Sequence, residues 1–142
     1  MNSILMIDDD ADDQLIFKEA IHEIANKIEC LFANNGFEAL SQLIRLDPSP
    51  SIIFLDLNMP IMNGFECLEQ IRKNGEWRKI PVVIFTTSNN PADKKKSEKL
   101  GAEFFLTKTS DFLLLKIKFA EILQSHFLKP EVFNHAGQTK YI

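Results

Sequence analysis

Cysteine is scarce: Cys30 and Cys67 are the only two, with neither C-x-x-C spacing nor a matching histidine array. That argues against a disulfide framework or an ordinary zinc site, and both read as reduced core residues. The three histidines (His22, His126 and His135) are scattered, and each reads as a surface or helix-end residue rather than a ligand. Positive charge is in deficit as well, with 16 Lys and Arg against 20 Asp and Glu, a net charge of −4 and a pI near 5.4. Nucleic-acid binding needs a basic face, so none is expected. No apolar run approaches the ~18 residues that a membrane span requires. The N-terminus also lacks a secretory pattern, so a soluble, cytoplasmic protein without membrane association is expected. No repeat or low-complexity segment appears. What is present, 45% hydrophobic and 25% charged residues over 142 positions, is ordinary globular composition, enough for one domain with a real core.

The most informative stretch is SIIFLDLNMPIMNG, residues 51–64. Ile52, Ile53, Phe54 and Leu55 form an apolar run between Pro50 and the turn residues 60–64, which reads as a strand buried on both faces. Asp56 ends it. A carboxylate buried there without compensation would be costly, so it needs a cation or a reacting partner.

Other strands end in chemistry too. SILMI (3–7) is a short strand running into DDDADD, where five of the six positions 8–13 are Asp. Asp10, Asp12 and Asp13 are explained by helix capping and the helix dipole, worth about 0.3–1 kcal/mol apiece. Asp8 and Asp9 precede the turn, and two adjacent carboxylates there are most simply reconciled by a divalent cation. A helix follows over 12–27, with Ile16, Phe17, Ala20, Ile21, Ile24 and Ile28 at three- and four-residue steps. ECLFA (29–33) is a strand ending at Asn34, and a helix over 37–46 turns Ala39, Leu40, Leu43 and Ile44 inward.

Beyond the central strand, Asn63 and Glu66 form a capping-box pattern for a third helix with Phe65, Leu68 and Ile71 inward. Trp77, in a polar connection, is expected to pack over that helix's end. IPVVIF (80–85) is a buried strand leading to Thr86, Thr87 and Ser88. Pro91 opens a Lys-rich helix over 91–100 that has few apolar positions and therefore weak tertiary anchoring. EFFLT (103–107) ends at Lys108, and a last helix over 110–127 is apolar on more than one face. Its surplus apolar residues imply either a homodimer or docking surface, or packing under the C-terminal tail. Residues 1–128 read as one domain, and 129–142 as a tail with no domain of its own.

Alternating strands and helices predict an α/β domain with a parallel sheet covered on both sides. Sites in such folds lie outside the carboxyl ends of the strands. Here those ends carry Asp8 and Asp9, Asn34, Asp56, Thr86 and Thr87, and Lys108.

MIDDD, FLDLNMPIMNG, VVIFTTS and Lys108 after the fifth strand resemble the receiver domain of two-component response regulators over residues 3–127. The long polar connection before IPVVIFTTS is similar to that of the stand-alone receivers related to phytochrome-associated response regulators. The resemblance implies a flavodoxin-like, doubly wound (βα)5 fold with strand order 2-1-3-4-5. It makes Asp56 the phosphoacceptor, attacking a phosphohistidine on a histidine kinase or histidine phosphotransfer protein. Asp9 and Asp56 would hold Mg²⁺ directly, Asp8 through water, with the backbone carbonyl of Asn58 as a further ligand. Lys108 would pair with phosphoryl oxygens. Thr86 would be the switch hydroxyl and Phe105 the family's rotating aromatic, and Asn58 and Ser88 occupy positions that tune dephosphorylation. Output would pass to a protein partner through the fourth helix, fifth strand and fifth helix, the face on which a homodimer would form.

One position departs from the family. Thr109 stands where receivers usually have proline in a cis peptide. A cis bond before a non-proline residue costs about 2.5–4 kcal/mol, so either a trans Lys108–Thr109 peptide with a shifted loop or a strained cis bond is expected. The rival reading is an Asp-nucleophile, Mg²⁺-dependent phosphatase using Asp8 and Asp10. Position 12 is Asp where that family prefers Thr or Val, and no later acidic pair follows the fourth strand.

Overall fold

The computed structural model describes residues 2–126, so the predicted tail at 129–142 lies outside the described residues. Five strands alternate with five helices: β1 (Ser3–Ile7), α1 (Ala11–Ile24), β2 (Glu29–Ala33), α2 (Gly36–Arg45), β3 (Ile52–Leu55), α3 (Gly64–Lys73), β4 (Val82–Thr86), α4 (Pro91–Lys99), β5 (Phe104–Thr107) and α5 (Phe112–His126). The strands form one parallel sheet in the order β2-β1-β3-β4-β5, as the family resemblance implies. Among the described residues no helix is long and apolar enough to cross a membrane.

Side chains alternate across a strand, so each apolar run divides between two cores. Ile4, Met6, Ile52, Phe54, Val83 and Phe85 pack under α1 and α5. Leu5, Ile7, Ile53, Leu55, Val82 and Ile84 pack on the opposite face with Leu43 of α2 and Leu68 and Ile71 of α3. In the first core the rings of Phe17, Phe54, Phe85 and Phe119 meet edge to face, with centroids 4.9 Å apart for Phe17–Phe54 and 5.3 Å for Phe85–Phe119. Such pairs add about 0.5–1.5 kcal/mol beyond area burial. This aromatic block sits under the end of β3 that carries Asp56.

Three helix readings need correction. The helix α1 stops at Ile24 rather than residue 27, because Ala25 leaves helical geometry at φ −157° and Ile28 turns back into the core. Ile16 and Ile44 are exposed, Ile44 at 75%. Each lies roughly 90° around its helix from the centre of the buried stripe, too far to reach the sheet. On α5, Leu115, Phe119, Ile122 and Leu123 are buried while Leu113 and Leu114 face out. Trp77 is buried in the second core, packed as expected, and α4 buries only Ser97.

Candidate functional site

Strand register builds the rim. The Asp56 N–H donates to Ile7 O at 3.0 Å, Asp8 N–H to Ala33 O at 3.0 Å, and Lys108 N–H to Thr86 O at 2.7 Å, so each strand end is tied to its neighbour. The first residues past β1, β3 and β5 therefore share one edge with Thr86, the last residue of β4.

At that edge Asp8, Asp9 and Asp56 each offer a carboxylate oxygen within 4.8 Å of the others. Asp8 and Asp56 are buried and Asp9 is exposed. Burial raises the pKa of Asp8 against the opposing pull of the Lys108 ammonium and the Asp10 N–H, and the charge of Asp56 raises it further. Burial likewise raises Asp56, opposed by Lys108, the Thr86 hydroxyl and the N–H groups of Asn58 and Leu57. Burial alone would lower Lys108, but its bonds to Asp13 and Asp8 and the charge of Asp56 outweigh that and leave its pKa raised. The asymmetry has a simple cause: one ammonium serves three carboxylates, so the cation is over-satisfied and the anions are not.

Oxygen-only donors, two of them buried and short of positive charge, suit a hard divalent cation.

The structure brings together Asp8, Asp9, Asp56, Thr86 and Lys108. Thr86 is fully buried, and its hydroxyl donates to the Asp56 carboxylate. The Asn58 side chain is exposed while its backbone N–H serves Asp56. Lys108–Thr109 is trans; among the described residues Asp47–Pro48 is the peptide found cis. The Lys108 ammonium nevertheless points into the rim, 2.7 Å from Asp8 Oδ2, 2.7 Å from Asp13 Oδ2 and 3.8 Å from Asp56 Oδ2.

Other predicted residues stand apart. Phe105 is half-buried against the second core. The Ser88 hydroxyl is engaged at the start of α4, donating to Asp93 Oδ2 at 2.7 Å and accepting from Asn90 N–H at 3.2 Å. Asp10 is the N-cap of α1, accepting from Asp13 N–H at 3.0 Å.

Two contributors were missed by sequence reasoning. Asp13 does more than suit the helix dipole: it binds Lys108. Gln14 Nε2 donates to Asp8 O at 2.7 Å and Asn34 Oδ1 at 2.8 Å, fixing the turn after β1 to that after β2. Position gave a partial signal, since both sit in the first turn of the helix that leaves the rim. A groove of about 470 Å³ lined by Leu15, Lys18, His22, Ile28 and Cys30 shares no residue with the rim.

A parallel 2-1-3-4-5 sheet with paired acids after β1, an acid after β3, a hydroxyl at the end of β4 and a lysine after β5 defines a class of signalling receivers. Residues 4–119 match the response regulator receiver domain, and the chain belongs to that family. It is 30% identical to the response regulator Rcp1 of Synechocystis sp. over 131 residues, covering 89% of this chain and 88% of Rcp1. The crystal structure of the phosphorylated cyanobacterial phytochrome response regulator RcpA superposes with a TM-score of 0.79 at 27% identity, covering 87% of this chain and 91% of RcpA. A Mn²⁺-bound form of Rcp1 superposes at 0.74 with 30% identity, over 89% and 94% of the two chains. Family and acidic cluster together support a phosphoacceptor signalling role with a divalent metal.

Proposed function

We infer that Asp56 accepts a phosphoryl group from a phosphohistidine on a histidine kinase or histidine phosphotransfer protein, and that the chain relays the signal to a protein partner by changing shape. The observation that carries this reading is the convergence on one carboxylate: Asp56 is only 7% exposed, receives the Thr86 hydroxyl, and has two further acids and Lys108 beside it. An Asp56 oxygen attacks phosphorus, the N–P bond breaks, and the departing imidazole takes up a proton. The acyl phosphate formed is labile, which suits a signal that must decay.

Asp9 and Asp56 are the direct ligands for Mg²⁺ in this reading, with Asp8 acting through water and the Asn58 carbonyl completing the protein's share. The ion supplies charge neutralisation to the phosphoryl oxygens, the main demand of phosphoryl transfer. Lys108 pairs with a phosphoryl oxygen. Thr86 moves its hydroxyl from the carboxylate to the phosphoryl group and draws the β4–α4 loop inward, and Phe105 fills or vacates its half-buried place in response. Asn58 and Ser88 adjust how readily water reaches the acyl phosphate.

Incubation with a small phosphodonor and Mg²⁺, followed by peptide mapping, tests the assignment. One phosphoryl group is expected on Asp56, absent with a chelator and absent in Asp56→Asn. A label that survives in Asp56→Asn and maps to Asp8 would replace this reading with the phosphatase one.

A further inference from the structure

The ammonium of Lys108 is not seated on Asp56. Its short contacts go to Asp8 and Asp13, at 2.7 Å each, with Asp56 at 3.8 Å. Asp8 belongs to the metal-binding trio, but Asp13 does not. The backbone of Asp13 is fixed by the α1 cap through its N–H to Asp10, so its carboxylate stands at a defined place on the first turn of α1. Lys108 is 11% exposed at its side chain, which screens these pairs less than surface ones.

We propose that Asp13 is a positioning residue, a latch that holds Lys108 against α1 until Asp56 is loaded. The proposal rests on Asp56 being the acceptor. A lysine ammonium has three donors on a flexible stem, so it can be shared and can move by an ångström at little cost. Once a divalent ion draws on the oxygens of Asp8, Asp9 and Asp56, the hold of Asp8 on Lys108 weakens while that of Asp13 does not. A phosphoryl group on Asp56 then competes with Asp13 for the same ammonium. Winning it breaks a tie between α1 and the segment joining β5 to α5, two helices that share the aromatic core at Phe17 and Phe119. Asp13 thus opposes loading of Asp56 and couples loading to the α1–α5 side of the domain.

Beryllofluoride, which with Mg²⁺ forms a carboxylate adduct that mimics an acyl phosphate, is the probe. Its affinity for the full chain is measured by fluorine NMR titration in wild type, Asp13→Asn, Asp13→Glu, Asp12→Asn and Asp56→Asn. Asp13→Asn is expected to bind roughly three- to tenfold more tightly, as removal of one competing charge-assisted bond would allow. Asp13→Glu returns towards wild type. Asp12→Asn, which removes the same charge from an exposed neighbour, stays within about twofold, the range set by screened surface charge. Unchanged or weaker binding in Asp13→Asn overturns the latch, as does an equal gain in Asp12→Asn. Failure of wild type to form the adduct, or its formation in Asp56→Asn, instead overturns the reading of Asp56.

Discussion

Asp56→Asn is expected to make the metal-free protein more stable while abolishing its capacity to carry a phosphoryl group. Burial raises the carboxyl pKa of both Asp8 and Asp56, and the charge of Asp56 adds to the rise at Asp8, so ionising both in the folded state carries an energetic penalty. An amide of the same shape still accepts from Thr86 and removes one of the two buried charges. Relief of uncompensated buried charge acts on the scale of about 1–2 kcal/mol, or roughly 3–6 °C in Tm at this chain length.

The pH dependence follows with a definite sign. A carboxyl raised by folding weakens the native state above its folded pKa, and this loss disappears as pH falls to the unfolded values near 4. Metal-free wild type should therefore gain stability on mild acidification from neutral pH, and the Asp56→Asn profile should be flatter in that window. Added Mg²⁺ should reverse the ranking. An ion at 100 times its Kd stabilises by about 2.7 kcal/mol, and a variant without the carboxylate proposed to hold it should forfeit most of that. Thermal melts with and without Mg²⁺ at two pH values read all of these differences; a metal-free Asp56→Asn less stable than wild type would contradict the electrostatic account.

The second large effect falls on a residue with no chemistry of its own. Gly64→Ala is expected to cost about 3 kcal/mol, the upper range for forcing an atom into packed structure. The first residue of α3 lies against the backbone that follows the acceptor: its N–H donates to Leu57 O at 2.9 Å, and a Cβ there would overlap Asp56 O and stand 2.7 Å from Leu57 Cα. The obstacle is backbone, which cannot rotate away as a side chain would. Because the strain falls on Asp56 itself, phosphodonor labelling should drop along with the melting temperature. The equivalent change at Gly75, where a Cβ meets nothing within 4 Å, should leave both nearly unchanged.

Much of this was legible in the sequence because the site is made of strand ends. A run as short as IIFL, bounded by Pro50 and the turn at 60–64, reads as a buried strand, so the residue after it falls on the rim. That is why the pattern of strand ends puts Asp8, Asp56, Thr86 and Lys108 on one rim, where the structure has them. Asp13 was not legible in that way, because a carboxylate in the first turn of a helix already has a sufficient local explanation; its bond to a lysine 95 residues away depends on the third dimension. Ile61 was also hidden. It takes φ +71° in the turn after Asp56 while 80% exposed, a left-handed conformation that a β-branched residue adopts at a cost of about 1–3 kcal/mol. The flanking Pro60 and Gly64 signal a turn, but nothing in them says which residue carries the strain. Ile16 and Ile44 failed differently: three- and four-residue spacing marks a stripe without fixing its edges.

Anomalous diffraction from crystals of the chain soaked in Mn²⁺ tests the central claim most directly. One peak is expected, bonded to carboxylate oxygens of Asp9 and Asp56 with Asp8 in reach through a water. A peak on Asp10 and Asp12 at the start of α1, or no ordered ion at the rim, would contradict the claim that three acids from two strand ends form one cation site around the acceptor.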